Sequence, residues 1–94
     1  MIRHVIMWQF KEGTEAEMEQ FISGLKALDG QIPEILRMEV GVNQKPGNSH
    51  HAVLISDFAD WDALERYRSD PRHVAVSNLC KSIRTQRCAV DFEV

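Results

Sequence analysis

Two segments of this 94-residue chain, Ile2–Phe10 and His51–Phe58, are apolar on both faces of an extended strand. Successive side chains of a strand point to opposite sides of its sheet. In the first segment His4, Ile6, Trp8 and Phe10 share one side, while Val5 and Met7 share the other. In the second, Ala52, Leu54, Ser56 and Phe58 oppose Val53 and Ile55. A sheet built around such strands needs cover on both faces. A chain of this length forms one domain, so residues 1–94 read as a single unit with few elements to spare.

The remaining pattern shows what covers one face. Gly13, Thr14 and Glu17 read as a turn and capping box at the start of a helix. Met18, Phe21, Ile22, Leu25 and Leu28 then follow a 3.6-residue period, and Gly30 and Pro33 close it. Leu36–Asn43 is a second strand, joined by the turn-rich 44–49 to the third. Asp60 caps a helix carrying Trp61, Leu64 and Tyr67; Asp70-Pro71 restarts it as a second piece with Val76, Leu79, Cys80 and Ile83. Cys88–Val94 is the last strand. The order is β-α-β-β-α-β, an α+β ferredoxin-like fold with an antiparallel four-stranded sheet, strands one and three central, and helices on one face.

The other face is left with Val5, Met7, Val53 and Ile55. Exposing large apolar side chains costs about 1.5–3 kcal/mol each. A second copy, packed sheet to sheet about a two-fold axis, is the expected cover, which makes the fold a homodimeric α+β barrel.

Charge and composition exclude several classes. The net charge is −3, and the seven arginines and four lysines look scattered, so nucleic acid is not an expected partner. No stretch is long and apolar enough to span a membrane. The apolar start is too short for an export signal and runs into Lys11-Glu12, so the expected location is the cytoplasm, with Cys80 and Cys88 as free thiols. His50-His51 face opposite ways, and neither cysteine has a companion at ligand spacing, so no metal site is expected, and no cofactor.

Tyr67-Arg68-Ser69-Asp70-Pro71-Arg72-His73 brings together a phenol, a helix break and an imidazole. On one continuous helix Tyr67 and His73 would point about 120° apart. The Asp70-Pro71 break lets them converge, placing a proton acceptor beside a hydroxyl donor. The competing reading is a core tyrosine and a locally bonded histidine. His4 lies on the helix-side face of the first strand, with Asp91 of the antiparallel last strand as its expected partner; a satisfied structural histidine is the competing reading. Trp8 and Trp61 read as core at these spacings.

These residues also carry a family resemblance. His4-Val5-Ile6-Met7-Trp8-Gln9-Phe10-Lys11, Ile55-Ser56-Asp57-Phe58, Trp61, Leu64, Tyr67, Pro71-Arg72-His73-Val74 and Ala89-Val90-Asp91-Phe92 together resemble the stress-responsive A/B barrel (Dabb) domains of the dimeric α+β barrel superfamily. The resemblance spans almost the whole chain and implies the same dimeric barrel. One plant branch of that family looks like cofactor-free polyketide cyclases, in which the matching Tyr67 and His73 form an acid/base pair and His4 matches a first-strand histidine. The pocket implied has His73, Tyr67 and His4 as its catalytic groups and Ile6, Trp8, Phe21, Ile22, Leu25 and Leu54 as its walls, with Asp91 beside His4. The chain departs from the family at Asp70, where His is common, and at Leu25, where an aromatic is common, and its first strand contributes the bulky Trp8; a smaller or differently shaped pocket is expected, which counts against the cyclase activity.

The function expected is binding of a small organic molecule inside each subunit, with cofactor-free cyclase- or isomerase-like acid/base chemistry. The alternatives are a non-catalytic, stress-associated dimer and, behind it, a monooxygenase of the same superfamily.

Overall fold

The first strand, β1 (Ile2–Phe10), buries its even residues and leaves Arg3, Val5, Met7 and Gln9 on the opposite side. The computed structural model describes all of residues 1–94. After β1 come α1 (Glu15–Ala27), β2 (Arg37–Val42), β3 (Ala52–Phe58), α2 (Trp61–Ser69), α3 (Pro71–Ile83) and β4 (Arg84–Glu93). The sheet order is β2-β3-β1-β4, every pair antiparallel, with β1 and β3 central as expected. This is the ferredoxin-like α+β fold, with three helices on one face of the sheet.

The register places the helix-side residues opposite one another: His4 pairs with Ser56 and Asp91, Ile6 with Leu54 and Ala89, Trp8 with Ala52 and Arg87. Of these, Ile6, Trp8, Ala52 and Leu54 join Phe21 and Leu25 of α1 and Leu64 and Tyr67 of α2 in one core between sheet and helices. α1 and α3 cross closely at Gly24, where an added Cβ would stand 3.3 Å from Val76 Cγ2. The far side of the sheet carries Val5, Met7, Val53, Ile55, Cys88, Val90 and Phe92, uncovered within the subunit.

Three local expectations are corrected. Thr14 does not cap α1: its backbone, at φ −108° and ψ 25°, is not extended, and its hydroxyl donates to the Lys11 carbonyl at 2.6 Å. β4 begins at Arg84, four residues before the apolar alternation, because Arg84 and Gln86 pair with Phe10 and Gln9 across an irregular register. An edge strand needs no apolar side chain to hold such a ladder. Trp61 is exposed rather than core. Residues 61 and 67 differ by 600° around a helix, so they cannot share the face that buries Ala63, Leu64 and Tyr67.

Candidate functional site

The break between α2 and α3 is a single extended residue, Asp70, at φ −61° and ψ 130°. Its carboxylate accepts from the Arg72 backbone N–H at 2.9 Å and pairs with the Arg72 guanidinium, and Pro71 occupies the first turn. The Arg72 side chain also donates to the Gln31 carbonyl at 2.6 Å, tying the break to the loop after α1. The change of direction brings the Tyr67 and His73 rings to 4.4 Å between centroids, tilted at 44°. They meet ring to ring, without a hydrogen bond between them.

Tyr67 is 1% exposed, and its hydroxyl has no hydrogen-bond partner within the protein. Burial pushes its pKa up, so it stays a phenol and acts as a donor, not as a phenolate base. The half-buried His73 donates Nδ1–H to the Arg68 carbonyl at 3.0 Å. That assigns the tautomer and leaves Nε2 with a free lone pair. Burial, aided by the charges of His4, Arg68 and Arg87, holds its pKa below the usual imidazole value despite the opposing Arg68 carbonyl.

His4 is buried on β1 and bonded through Nδ1 to the Asp91 carboxylate directly across the β1–β4 ladder. Burial is the largest influence and lowers its pKa, while Asp91 pulls it back up. In the neutral ring Nδ1–H donates to Asp91, and Nε2 is again the free nitrogen.

His4, Tyr67 and His73 border one cavity, together with Ile6, Trp8, Phe21, Leu25 and Leu54. Its volume is about 50 Å³. Trp8, edge-to-face against Phe21 at 5.1 Å, is the largest side chain among its walls. Two expected wall residues are elsewhere. Ile22 packs into the core, because one residue beyond Phe21 it points about 100° away. Asp91 lies behind His4 and does not line the cavity.

Six wall residues were not foreseen: Arg68, Val76, Ser77, Cys80, Arg84 and Arg87. Val76, Ser77 and Cys80 stand three, four and seven residues after His73, the spacing of one helix face, which was a readable signal. Arg87 faces the helices because it pairs with Trp8.

Residues 2–94 match the family model of the stress-responsive A/B barrel domain. The chain belongs to the Dabb family. No curated protein matches it closely. Among solved structures, the Dabb chain is similar to a Bacteroides fragilis protein described as dimeric, ferredoxin-like and of unknown function. The two are 26% identical, with a TM-score of 0.92 over 99% of this chain and 95% of the other. Passiflora edulis hydroxynitrile lyase shares the fold at 13% identity, with a TM-score of 0.86 over 99% and 92%. A cofactor-independent oxygenase from Streptomyces nogalater shares it at 17% identity, with a TM-score of 0.78 over 99% and 91%.

The Dabb cavity therefore holds two neutral imidazoles, each with one ring nitrogen engaged and the other free, and one phenol without an acceptor. Such a set can accept a proton at nitrogen and donate a hydrogen bond to oxygen. A second hollow, about 440 Å³ and bordered by Met7, Val42, His50 and Val53, is larger. It lies on the far side of the sheet, away from all three groups.

Proposed function

We propose that this Dabb chain binds a small carbonyl-containing molecule in the His4–Tyr67–His73 cavity and moves a proton within it without a cofactor. The unpartnered Tyr67 hydroxyl carries the reading. A buried hydroxyl left without a partner costs about 1–3 kcal/mol, so a core tyrosine with no task is better replaced by phenylalanine. A bound carbonyl oxygen supplies the missing acceptor. The Nε2 of His73 then takes a proton from the carbon beside that carbonyl: the C–H bond breaks, an N–H bond forms, and the electron pair moves onto the oxygen that Tyr67 faces as donor. His4, held by Asp91, is the second base or the proton's return route. The hydroxynitrile lyase and the cofactor-independent oxygenase support the reading only in that this fold hosts small-molecule chemistry. A thermal-shift screen of small ketones, aldehydes and enols tests it. Hits should stabilise the wild type and fail with His73→Ala and Tyr67→Phe; hits indifferent to both substitutions would refute the site.

The subunit works as a homodimer in this reading. Val90 and Phe92 are 63% and 42% exposed on the uncovered sheet face, beside Val5, Met7, Val53 and Ile55. The dimeric Bacteroides fragilis protein supports a second copy as their cover. One observation favours the plainer alternative of a structural dimer. The cavity, at about 50 Å³, is small beside the roughly 300–1,000 Å³ of most ligand pockets. A ligand must therefore be small or extend outward past His73.

A further inference from the structure

Four of the seven arginines have a close carboxylate partner: Arg3 with Asp57 at 2.9 Å, Arg37 with Glu39 at 2.7 Å, Arg66 with Glu34 at 3.4 Å and Arg72 with Asp70 at 2.8 Å. The other three are Arg68, Arg84 and Arg87. Arg84 and Arg87 have no carboxylate within 4.0 Å, and Arg68 reaches only the exposed Glu65, at 3.8 Å. These three border the same cavity. They also border, with Lys81, an adjoining hollow of about 260 Å³. Arg68, His73, Ser77, Arg84 and Arg87 are common to both, so a basic vestibule adjoins the small cavity.

The cluster runs against the composition. The chain carries a net charge of −3, yet residues 71–90 hold Arg72, Lys81, Arg84 and Arg87 and not one carboxylate. Asp91, on the helix side of β4, is committed to His4. Burial first, and then the charges of Arg84 and Arg68, hold Arg87 below the usual guanidinium value, and the Asp91 carboxylate pulls it partly back. Arginine stays charged regardless. Like charges gathered in a partly buried place with so little counter-charge, only the exposed Glu65 beside Arg68 and the more distant Asp91 acting on Arg87, are unfavourable, and a bound anion relieves them. Guanidinium forks suit planar carboxylates and phosphates in particular, through paired N–H donors.

We propose that the cavity's ligand carries an oxyanionic group, a carboxylate or a phosphate, seated among Arg68, Arg84 and Arg87 while its uncharged end reaches Tyr67 and His73. This rests on the small-molecule reading above and adds the class of ligand. It also explains how so small a cavity serves: only the reacting end of the ligand enters it, and the anion stays in the vestibule.

The test follows the arginine side-chain N–H resonances by NMR while sodium benzoate, inorganic phosphate or neutral benzamide is added at constant ionic strength. Benzoate or phosphate should give saturable shifts at millimolar concentration or below, and the tighter of the two identifies the anion. Benzamide should bind at least tenfold more weakly than benzoate. Arg84→Gln and Arg87→Gln should each weaken the anion at least tenfold, and Arg66→Gln, on the outer surface, should not. Shifts no larger than those from added chloride, or unaltered binding in both Arg84→Gln and Arg87→Gln, would overturn the proposal. Tyr67→Phe separates the two readings. Anion binding that survives Tyr67→Phe but fails in the arginine variants upholds the anion site and removes Tyr67 from the proposed chemistry. A neutral carbonyl ligand that needs Tyr67 and ignores both arginines upholds the chemistry and overturns the anion site.

Discussion

Tyr67 and His73 stand ring against ring at 4.4 Å, although they belong to two different helices and are separated by an extended Asp70. Their contact depends on the geometry of that one residue. Asp70 is tied to the Arg72 guanidinium and then to its backbone N–H, and these hold its carboxyl at about 2, below the ordinary value of 3.8. A depressed carboxyl stabilises the fold wherever the unfolded chain would already be ionised. The contribution is complete above about pH 4 and is lost as pH falls toward 2. Asp70→Asn keeps a capping oxygen but loses the charge. Its melting temperature should lie below that of the wild type at neutral pH, and the difference should close between pH 4 and pH 2. A gap that stays constant across this range would mean that the charge plays no part.

Tyr67→Phe distinguishes a working tyrosine from a structural one. The hydroxyl has no partner to lose, so removing it should leave stability unchanged or raise it by up to about 1 kcal/mol. Ligand binding should weaken by about tenfold, the worth of one good hydrogen bond at roughly 1.4 kcal/mol. Loss of stability with no loss of binding would return Tyr67 to the core.

His4 and His73 both titrate below the ordinary imidazole value of 6.5, chiefly because burial penalises the charged ring. The unfolded chain therefore binds protons that the folded chain refuses. Their contribution to stability is complete above about pH 6.5 and falls away as pH drops through the folded midpoints. Turnover that needs a neutral imidazole should rise across the same interval and level off above it. Side-chain 15N titration checks both midpoints. A value above 6.5 for His4 would show that the Asp91 carboxylate outweighs burial, making His4 a proton donor near neutrality.

Trp8 is the bulkiest side chain on the cavity wall. It is buried against Phe21, and Trp8→Ala should cost about 3–5 kcal/mol, a large share of the roughly 5–15 kcal/mol expected for a domain of this kind. Trp8→Leu should cost less and enlarge the cavity enough to admit bulkier ligands. Thermal shifts with a series of aryl ketones of increasing size would read this directly. No change in the size limit would place the constriction elsewhere.

Particular residues show why part of this site was legible before the fold and part was not. Asp70-Pro71 combines a cap with a first-turn proline, two local signals that agree, so the break and the meeting of Tyr67 with His73 were readable. His4 and Asp91 follow from strand order alone, because an antiparallel neighbour must stand opposite. The arginine cluster was not readable as a cluster. Arg68 ends α2, Arg84 opens β4, and Arg87 faces inward only because the β1–β4 register pairs it with Trp8. Pairing the four other arginines with their carboxylates likewise needs distances. The cavity's size depends on how all its wall residues pack, Trp8 against Phe21 among them, which no periodicity encodes.

The uncovered sheet face bears on the last prediction. Its middle is apolar, with Val5 opposite both Ile55 and Val90, and Met7 opposite Val53 and Cys88. One end is closed by Asp57, held by Arg3 at 2.9 and 3.1 Å with Arg37 at 4.0 Å. The polar end limits how two sheets can align, and the apolar middle provides the drive to pair. Val90→Asp puts a charge into that middle, on an edge strand where the subunit itself buries little. It should shift sedimentation from dimer to monomer at micromolar concentration while leaving the subunit folded, with a lower melting temperature that no longer depends on protein concentration. The cavity lies on the opposite side of the sheet, so ligand affinity in the monomer should stay within a few-fold of the dimer's. A wild type that sediments as a monomer would leave the apolar face without its proposed cover. Binding abolished in a folded Val90→Asp monomer would mean that the second copy is needed to complete the site.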